Sequence, residues 1–132
     1  RDRKLAFVAD WVRQEKVQNI WDIGGNTGDF SLAAIEAGAK SSVILDGDLD
    51  SLEAAYRLRV KKGQPIQPLF MNLLDPTPNL GWRQSERKGL QERKNADGMI
   101  ALAVIHHMAI SGNLPLADLR TRLLARIFPW RP

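Results

Sequence analysis

The sequence predicts an α/β protein built on a parallel sheet, and three observations predict it. Short apolar runs alternate along the chain with stretches of helical periodicity. One such run, Ile20-Trp21-Asp22-Ile23, stops at Gly24-Gly25-Asn26-Thr27-Gly28, and a helical pattern follows at once. Strand, glycine-rich turn and helix in that order form the ligand-side turn of an open α/β sheet. A later run, residues 98–104, is apolar at successive positions, as a parallel strand covered on both faces must be.

In chain order, an amphipathic helix is expected over residues 3–16, with Leu5, Val8, Trp11 and Val12 inward and Arg13, Gln14 and Glu15 wet. Strand one takes residues 19–23. Helix A covers residues 28–37, its apolar positions Phe30, Leu32, Ala33, Ile35 and Ala37, and Gly38 stops it. Strand two is Ser42-Val43-Ile44-Leu45, ending at Asp46. Helix B covers residues 49–59 with Leu52, Ala55, Tyr56 and Leu58 as its packing stripe, and Lys61-Lys62-Gly63 breaks it. Strand three is Pro68-Leu69-Phe70-Met71, an edge strand on account of its prolines. Strand four is 98–104, and a last helix takes 116–127, with Leu116, Leu119, Leu123, Leu124 and Ile127 apolar. Short connections between such elements give right-handed crossovers.

The turn has its own chemistry. Glycine permits positive φ and lets backbone approach a ligand without a Cβ in the way. Asn26 is the non-glycine residue type that best tolerates the left-handed region. Asp22 lies inside the strand end, where a buried carboxylate is costly unless it has a partner.

Composition narrows the class. A chain of 132 residues is one domain with room for a core, and its 44% hydrophobic and 26% charged residues fit a globular protein. Without cysteine there is neither a disulfide framework nor a thiolate metal site. No run of 18 apolar residues occurs, and Arg-Asp-Arg-Lys opens the chain with no signal-type core behind it. A soluble, cytoplasmic protein that binds no membrane is expected. The net charge of +4 conceals an asymmetry: residues 22–53 hold seven acids (Asp22, Asp29, Glu36, Asp46, Asp48, Asp50, Glu53) and one base, Lys40. A negative zone around the glycine turn suits a cationic ligand better than a polyphosphate, unless those acids are merely solvated helix ends.

Asp22-Ile23-Gly24-Gly25-Asn26-Thr27-Gly28 resembles motif I of the class I S-adenosylmethionine-dependent methyltransferases, Asp/Glu-x-Gly-x-Gly-x-Gly, with Asn26 at the middle glycine. The resemblance implies these as cofactor-binding residues, Gly24, Gly25 and Gly28 admitting the methionine portion and Asp22 orienting the turn or the ammonium. The dinucleotide pattern Gly-x-Gly-x-x-Gly fits no placement over 24–30, and no Gly-Lys-Ser/Thr occurs. Asp46, twenty-two residues beyond Gly24, ends strand two where an acid can accept both ribose hydroxyls, and Asp46-Gly47-Asp48 resembles motif II. Asp48 either caps helix B or reaches the ligand. Asn72-Leu73-Leu74-Asp75 resembles the adenine turn, which implies the Asn72 side chain and the Leu73 N–H as adenine contacts. Asn72 is otherwise a turn former bonding its own backbone.

Strand four, through Ala101-Leu102-Ala103 to Ile105-His106-His107, resembles motif IV. The resemblance adds Ala101 to the implied cofactor contacts and makes His106 or His107 a candidate base toward the methyl acceptor. A helix-start or structural role for the histidines stands beside it. Neighbouring histidines diverge on a strand or helix and are poor partners for one metal ion. A weaker resemblance, through Gly81-Trp82-Arg83 and His106-His107-Met108-Ala109-Ile110-Ser111, is to a nodulation-protein-type group of bacterial methyltransferases.

The resemblance implies a Rossmann-like parallel sheet in the order 3-2-1-4. It implies S-adenosyl-L-methionine as cofactor and direct transfer of its methyl group to an unidentified N, O or C acceptor, with no metal required. Strands five to seven of the full order 3-2-1-4-5-7-6 are missing, so residues 1–132 are expected to be an S-adenosylmethionine-binding domain incomplete at its C-terminus. Strand four then becomes an apolar edge, expected to pair with an outside strand or to self-associate. The alternative function is a non-catalytic nucleotide-binding fragment that keeps the pocket. A small-molecule acceptor is favoured over nucleic acid, because the basic segment 83–94 has a single ring beside it, Trp82. That segment reads as a solvated helix face or a mobile cover.

Overall fold

The structure, a computed structural model, describes residues 1–93, 95–102, 104, 110 and 112. Its elements in chain order are α1 (Asp2–Glu15), β1 (Asn19–Ile23), α2 (Asp29–Glu36), β2 (Ser41–Asp46), α3 (Leu49–Ala55), β3 (Ile66–Phe70) and β4 (Gly98–Ile100). All strand pairs are parallel and the order is β3-β2-β1-β4, as the resemblance implies. The described residues fall into two compact units: Arg1–Met71 with Ala96–Leu102 holds the sheet and its helices, and Asn72–Asn95 belongs to the other.

Central position explains the composition of β1. It pairs with β2 on one side and β4 on the other, and its last four residues are buried. Val8 and Val12 of α1 pack with Val17, Ile20, Ala34, Ala39 and Ile100 in one buried cluster. Ile44, Leu52, Ala55 and Ile66 form a second. Full burial of an isoleucine such as Ile20 or Ile44 contributes about 1.5–3 kcal/mol.

Four elements depart from expectation. Regular α3 ends at Ala55, and a π-helical turn, Tyr56–Val60, replaces its last turn, with the Lys61 amide reaching the Tyr56 carbonyl at 3.1 Å. Its buried stripe is Ser51, Leu52 and Ala55, while Tyr56 and Leu58 are exposed. Strand β3 begins two residues early, at Ile66, because that side chain anchors the strand in the second cluster. Leu69 and Phe70 are exposed on this edge strand. Strand β4 is three residues long rather than seven: its ladder ends at Asp22↔Ile100, just before β1 gives way to the glycine turn. On α2 the fully buried positions are Ser31 and Ala34, while the expected Phe30, Leu32 and Ile35 are partly buried against the two clusters. The expected helix over 116–127 lies outside the described residues.

In the second unit, Leu80 and Arg87 exchange two backbone hydrogen bonds of 2.9 and 3.0 Å as an antiparallel bridge. Where a solvated helix face was one expectation for 83–94, the chain forms this hairpin with a 3₁₀ turn, Trp82–Gln84, at its tip and a second 3₁₀ turn, Leu90–Glu92, after it. Arg83 and Gln84 are left-handed in the first turn, which is why a helix does not propagate. Among the described residues no helix is long and apolar enough to cross a membrane.

Candidate functional site

The glycine turn is built as its composition requires. Gly24, Asn26 and Gly28 have φ of 65°, 50° and 79°, all in the left-handed region. Gly25 has ordinary φ and is glycine for a different reason: a Cβ there would lie 2.6 Å from Cγ of Asp22. The turn is tied to the sheet at its start and closes on itself at its end. The Gly24 amide donates to the Leu45 carbonyl at 2.8 Å, and the Gly28 amide closes back on the Gly25 carbonyl at 2.8 Å. Asn26 also caps the next peptide, its Oδ1 accepting from the Thr27 amide at 2.8 Å.

Asp46 stands at the end of β2, where the sequence puts it. Oδ2 accepts from the Asn26 amide at 3.0 Å and Oδ1 from the Asp48 amide at 2.9 Å. The carboxylate therefore latches the glycine turn to the β2–α3 connection. Each oxygen has two acceptor positions, so one on each remains for a further donor pair. Gly47 is exposed between these contacts, and a Cβ on it would stand 3.5 Å from the Met71 carbonyl. Asp48 caps α3: its Oδ1 accepts from the Asp50 amide at 3.1 Å and its Oδ2 from the Ser51 hydroxyl at 2.6 Å. The Ser51 bond foremost holds the Asp48 carboxyl below the usual range.

Asp22 lies beneath the turn, against Gly25. The side chain is 1% exposed, and its Oδ2 accepts from the Ser31 hydroxyl at 2.7 Å. Ser31 Oγ is in turn 2.8 Å from Ser42 Oγ. Burial pushes the Asp22 carboxyl up to about 6, opposed by its Ser31 hydrogen bonds and aided by the Asp46 charge. Its partners, Ser31 and Ser42, went unnoticed in the sequence. The only signal for them was the need of a buried acid for donors.

Arg59 was missed as well. Its guanidinium donates to the Thr27 carbonyl at 3.2 Å and to Asp29 Oδ1 at 2.6 Å, and Asp29 also pairs with Arg1. The negative zone read from residues 22–53 is thus partly neutralised by two arginines outside that window.

The remaining candidates are placed as follows. Ala101, half-buried, lies one residue beyond β4. In the second unit, Asn72 Oδ1 accepts from the Leu74 amide at 3.1 Å, the turn-forming role weighed against adenine contact, and Leu73 is buried. A cavity of about 410 Å³ in that unit is lined by Asp75, Asn79, Gln84 and Glu92 among others, and by none of the candidate residues. His106 and His107 lie outside the described residues. Among the described residues no group of three or more His, Cys, Asp or Glu is arranged to hold a metal.

No family model matches the chain. Nodulation protein NoeA of Rhizobium meliloti (strain 1021) is 42% identical over 118 residues, which is 89% of this chain and 25% of NoeA. The chain therefore spans about a quarter of the length of this curated relative. Among solved structures, WbdD aligns over 95% of this chain and 26% of its own, with a TM-score of 0.65 and 18% identity. CalS10, an amino pentose methyltransferase from Micromonospora echinaspora solved with S-adenosylmethionine bound, aligns over 95% of this chain and 44% of its own, with a TM-score of 0.59 and 16% identity. The weaker resemblance to a nodulation protein is borne out by NoeA, and the broader one by the sheet order and these structural neighbours. The chain has the Rossmann-like fold of the S-adenosylmethionine-dependent methyltransferases.

Proposed function

We propose that the chain is the cofactor-binding part of a methyltransferase that uses S-adenosyl-L-methionine and moves its methyl group to an N, O or C atom of a small-molecule acceptor. One observation carries the reading: a turn left-handed at Gly24, Asn26 and Gly28 is fastened through the Asn26 amide to Asp46, the acid ending the next strand. The residues fit the cofactor. Asp46 keeps one acceptor position on each oxygen, which suits the two hydroxyls of a ribose. Gly24, Gly25 and Gly28 let the chain backbone come close to the methionine portion. Gly47 beside Asp46 leaves the same edge open, and Ala101 contributes a small side chain past β4. The bound S-adenosylmethionine of CalS10, on the same fold, supports this choice.

S-adenosylmethionine supplies a methyl carbon on a sulfonium, which an acceptor lone pair takes by direct displacement. The chain's own task is to bind, orient and exclude water, the effects that lower such a barrier by fixing the line of attack. Asp22 serves from below, holding the Ser31 hydroxyl and filling the space beneath Gly25. His106 or His107 is proposed as the group that takes a proton from the acceptor, and Asn72 and Leu73 as the adenine contacts.

The direct test is calorimetry with S-adenosylhomocysteine and NAD. The protein is expected to bind the first and to bind NAD far more weakly, and tighter NAD binding would overturn the assignment. In the same titration Asp46→Ala is expected to weaken S-adenosylhomocysteine binding by about 1.5–3 kcal/mol, the scale of hydrogen bonds to a charged group. An unchanged dissociation constant in a folded variant would mean that the ribose is held elsewhere.

A further inference from the structure

Arg59 is an unusual member of the basic cluster 57–62. Its neighbour Arg57 is 68% exposed and makes an ordinary surface pair with Glu53 at 2.8 Å, whereas the Arg59 side chain is only 11% exposed. Burying a guanidinium is costly unless its donors are satisfied, so a specific arrangement must hold it there. That arrangement is the junction between the glycine turn and α2. Nε donates to the Thr27 carbonyl at 3.2 Å, Nη2 meets Asp29 Oδ1 at 2.6 Å, and the stem passes Gly28, where a Cβ would be 3.6 Å from its Cγ. One side chain thus bonds Thr27 and Asp29, on either side of Gly28, from about thirty positions away in sequence.

The contact is placed where it governs the turn. The peptide joining Thr27 and Gly28 is gripped on both sides, its carbonyl by Arg59 and its N–H by the Gly25 carbonyl. That peptide leads into Gly28, the N-cap of α2. Arg59 itself stands in the π-helical turn Tyr56–Val60, a local widening that is energetically poorer than α-helix and is found disproportionately at functional sites. A lysine could not reproduce the grip, because only the planar fork offers two fixed donors to a carbonyl and a carboxylate at once.

We propose that Arg59 is a positioning residue for the cofactor site: it holds the Gly24–Gly28 turn in the conformation that accepts S-adenosylmethionine, without itself contacting the ligand. The inference rests on the cofactor reading above and extends it to a residue on the π-turn that follows α3.

The test pairs ligand affinity with local hydrogen exchange in the wild type, Arg59→Met and Arg59→Lys. Arg59→Met is expected to raise the S-adenosylhomocysteine dissociation constant about tenfold, the effect of losing a charge-assisted bond that orders the site. Exchange at the Gly28 amide should accelerate by a similar factor while Ile23 and Ile44, in the sheet, keep their rates. Arg59→Lys, which retains the charge and loses the fork, should fall between. Affinity within twofold of wild type in Arg59→Met would overturn the proposal, as would acceleration spread evenly over the sheet, which marks a general loss of stability. If the wild type itself fails to bind S-adenosylhomocysteine, the cofactor reading falls. Exchange at Gly28 then decides the clamp alone, faster in Arg59→Met supporting it and unchanged overturning it.

Discussion

Asp22→Asn should raise the unfolding free energy at pH 7.5 by about 3 kcal/mol and flatten its pH dependence between pH 4 and pH 7. The native carboxyl titrates at about 6 against an ordinary 3.8, and each tenfold difference in proton affinity is worth about 1.4 kcal/mol. Below pH 3.8 the acid is protonated in both folded and unfolded chains, and its burial as a neutral group costs little. As pH rises through 6 the unfolded chain has already released its proton, while the folded chain must ionise a carboxyl that is 1% exposed. Stability is therefore present at low pH and lost as pH rises, the sense required when the folded state binds the extra proton. Asparagine is neutral throughout and keeps an oxygen for the Ser31 hydroxyl. Asp48 acts in the opposite sense, since its cap bonds favour the ionised form. The wild-type profile is thus a composite, and the difference between the two proteins isolates Asp22. Urea melts from pH 4 to pH 8 measure it. Parallel curves for the two proteins would show that the carboxyl carries no such burden.

The residues that were legible in the sequence are those whose neighbours in space are also neighbours in the chain. Asn26 is left-handed, Asp48 caps α3, and Asp46 ends β2, each following from a local pattern of strand end, turn residue or helix cap. The central strands were legible because burial on both faces leaves an apolar run with sharp ends. The edge position of β3 was legible from its prolines, but its start was not. Leu69 and Phe70 lie in the run read as strand three and are exposed, since an edge strand is covered less completely on its faces. Tyr56 and Leu58 read as the packing stripe of a regular helix, yet both are exposed in the π-turn, where the Arg59 side chain is largely covered instead. Nothing at positions 56–60 announces that turn; the carboxylate that Arg59 meets there, Asp29, lies far along the chain. Ser31 and Ser42 were invisible for the same reason. A small hydroxyl signals little until the acid it serves is seen to be Asp22.

Gly25→Ala should destabilise the fold by about 1–3 kcal/mol, as overpacking of a filled interior does, and abolish cofactor binding with it. The position has ordinary φ, so backbone strain is not the reason. The reason is space: the new Cβ would lie 2.6 Å from Cγ and 2.7 Å from Oδ2 of Asp22. Asp22 cannot step aside, because its Oδ2 is bonded to Ser31 and Ser31 to Ser42 within the sheet–helix interior. The turn must move instead, and it is fastened to Leu45 through Gly24 and to Asp46 through Asn26. Relief of the clash therefore breaks one of the two contacts that aim the turn. A double-mutant cycle makes the argument specific. In an Asp22→Ala background the added methyl meets no carboxylate, so the same glycine substitution should cost much less, with a coupling between the sites of about 1–3 kcal/mol. Denaturant melts of the four proteins, read alongside S-adenosylhomocysteine titrations, give both quantities. Additive costs would mean that Gly25 is required for something other than its approach to Asp22.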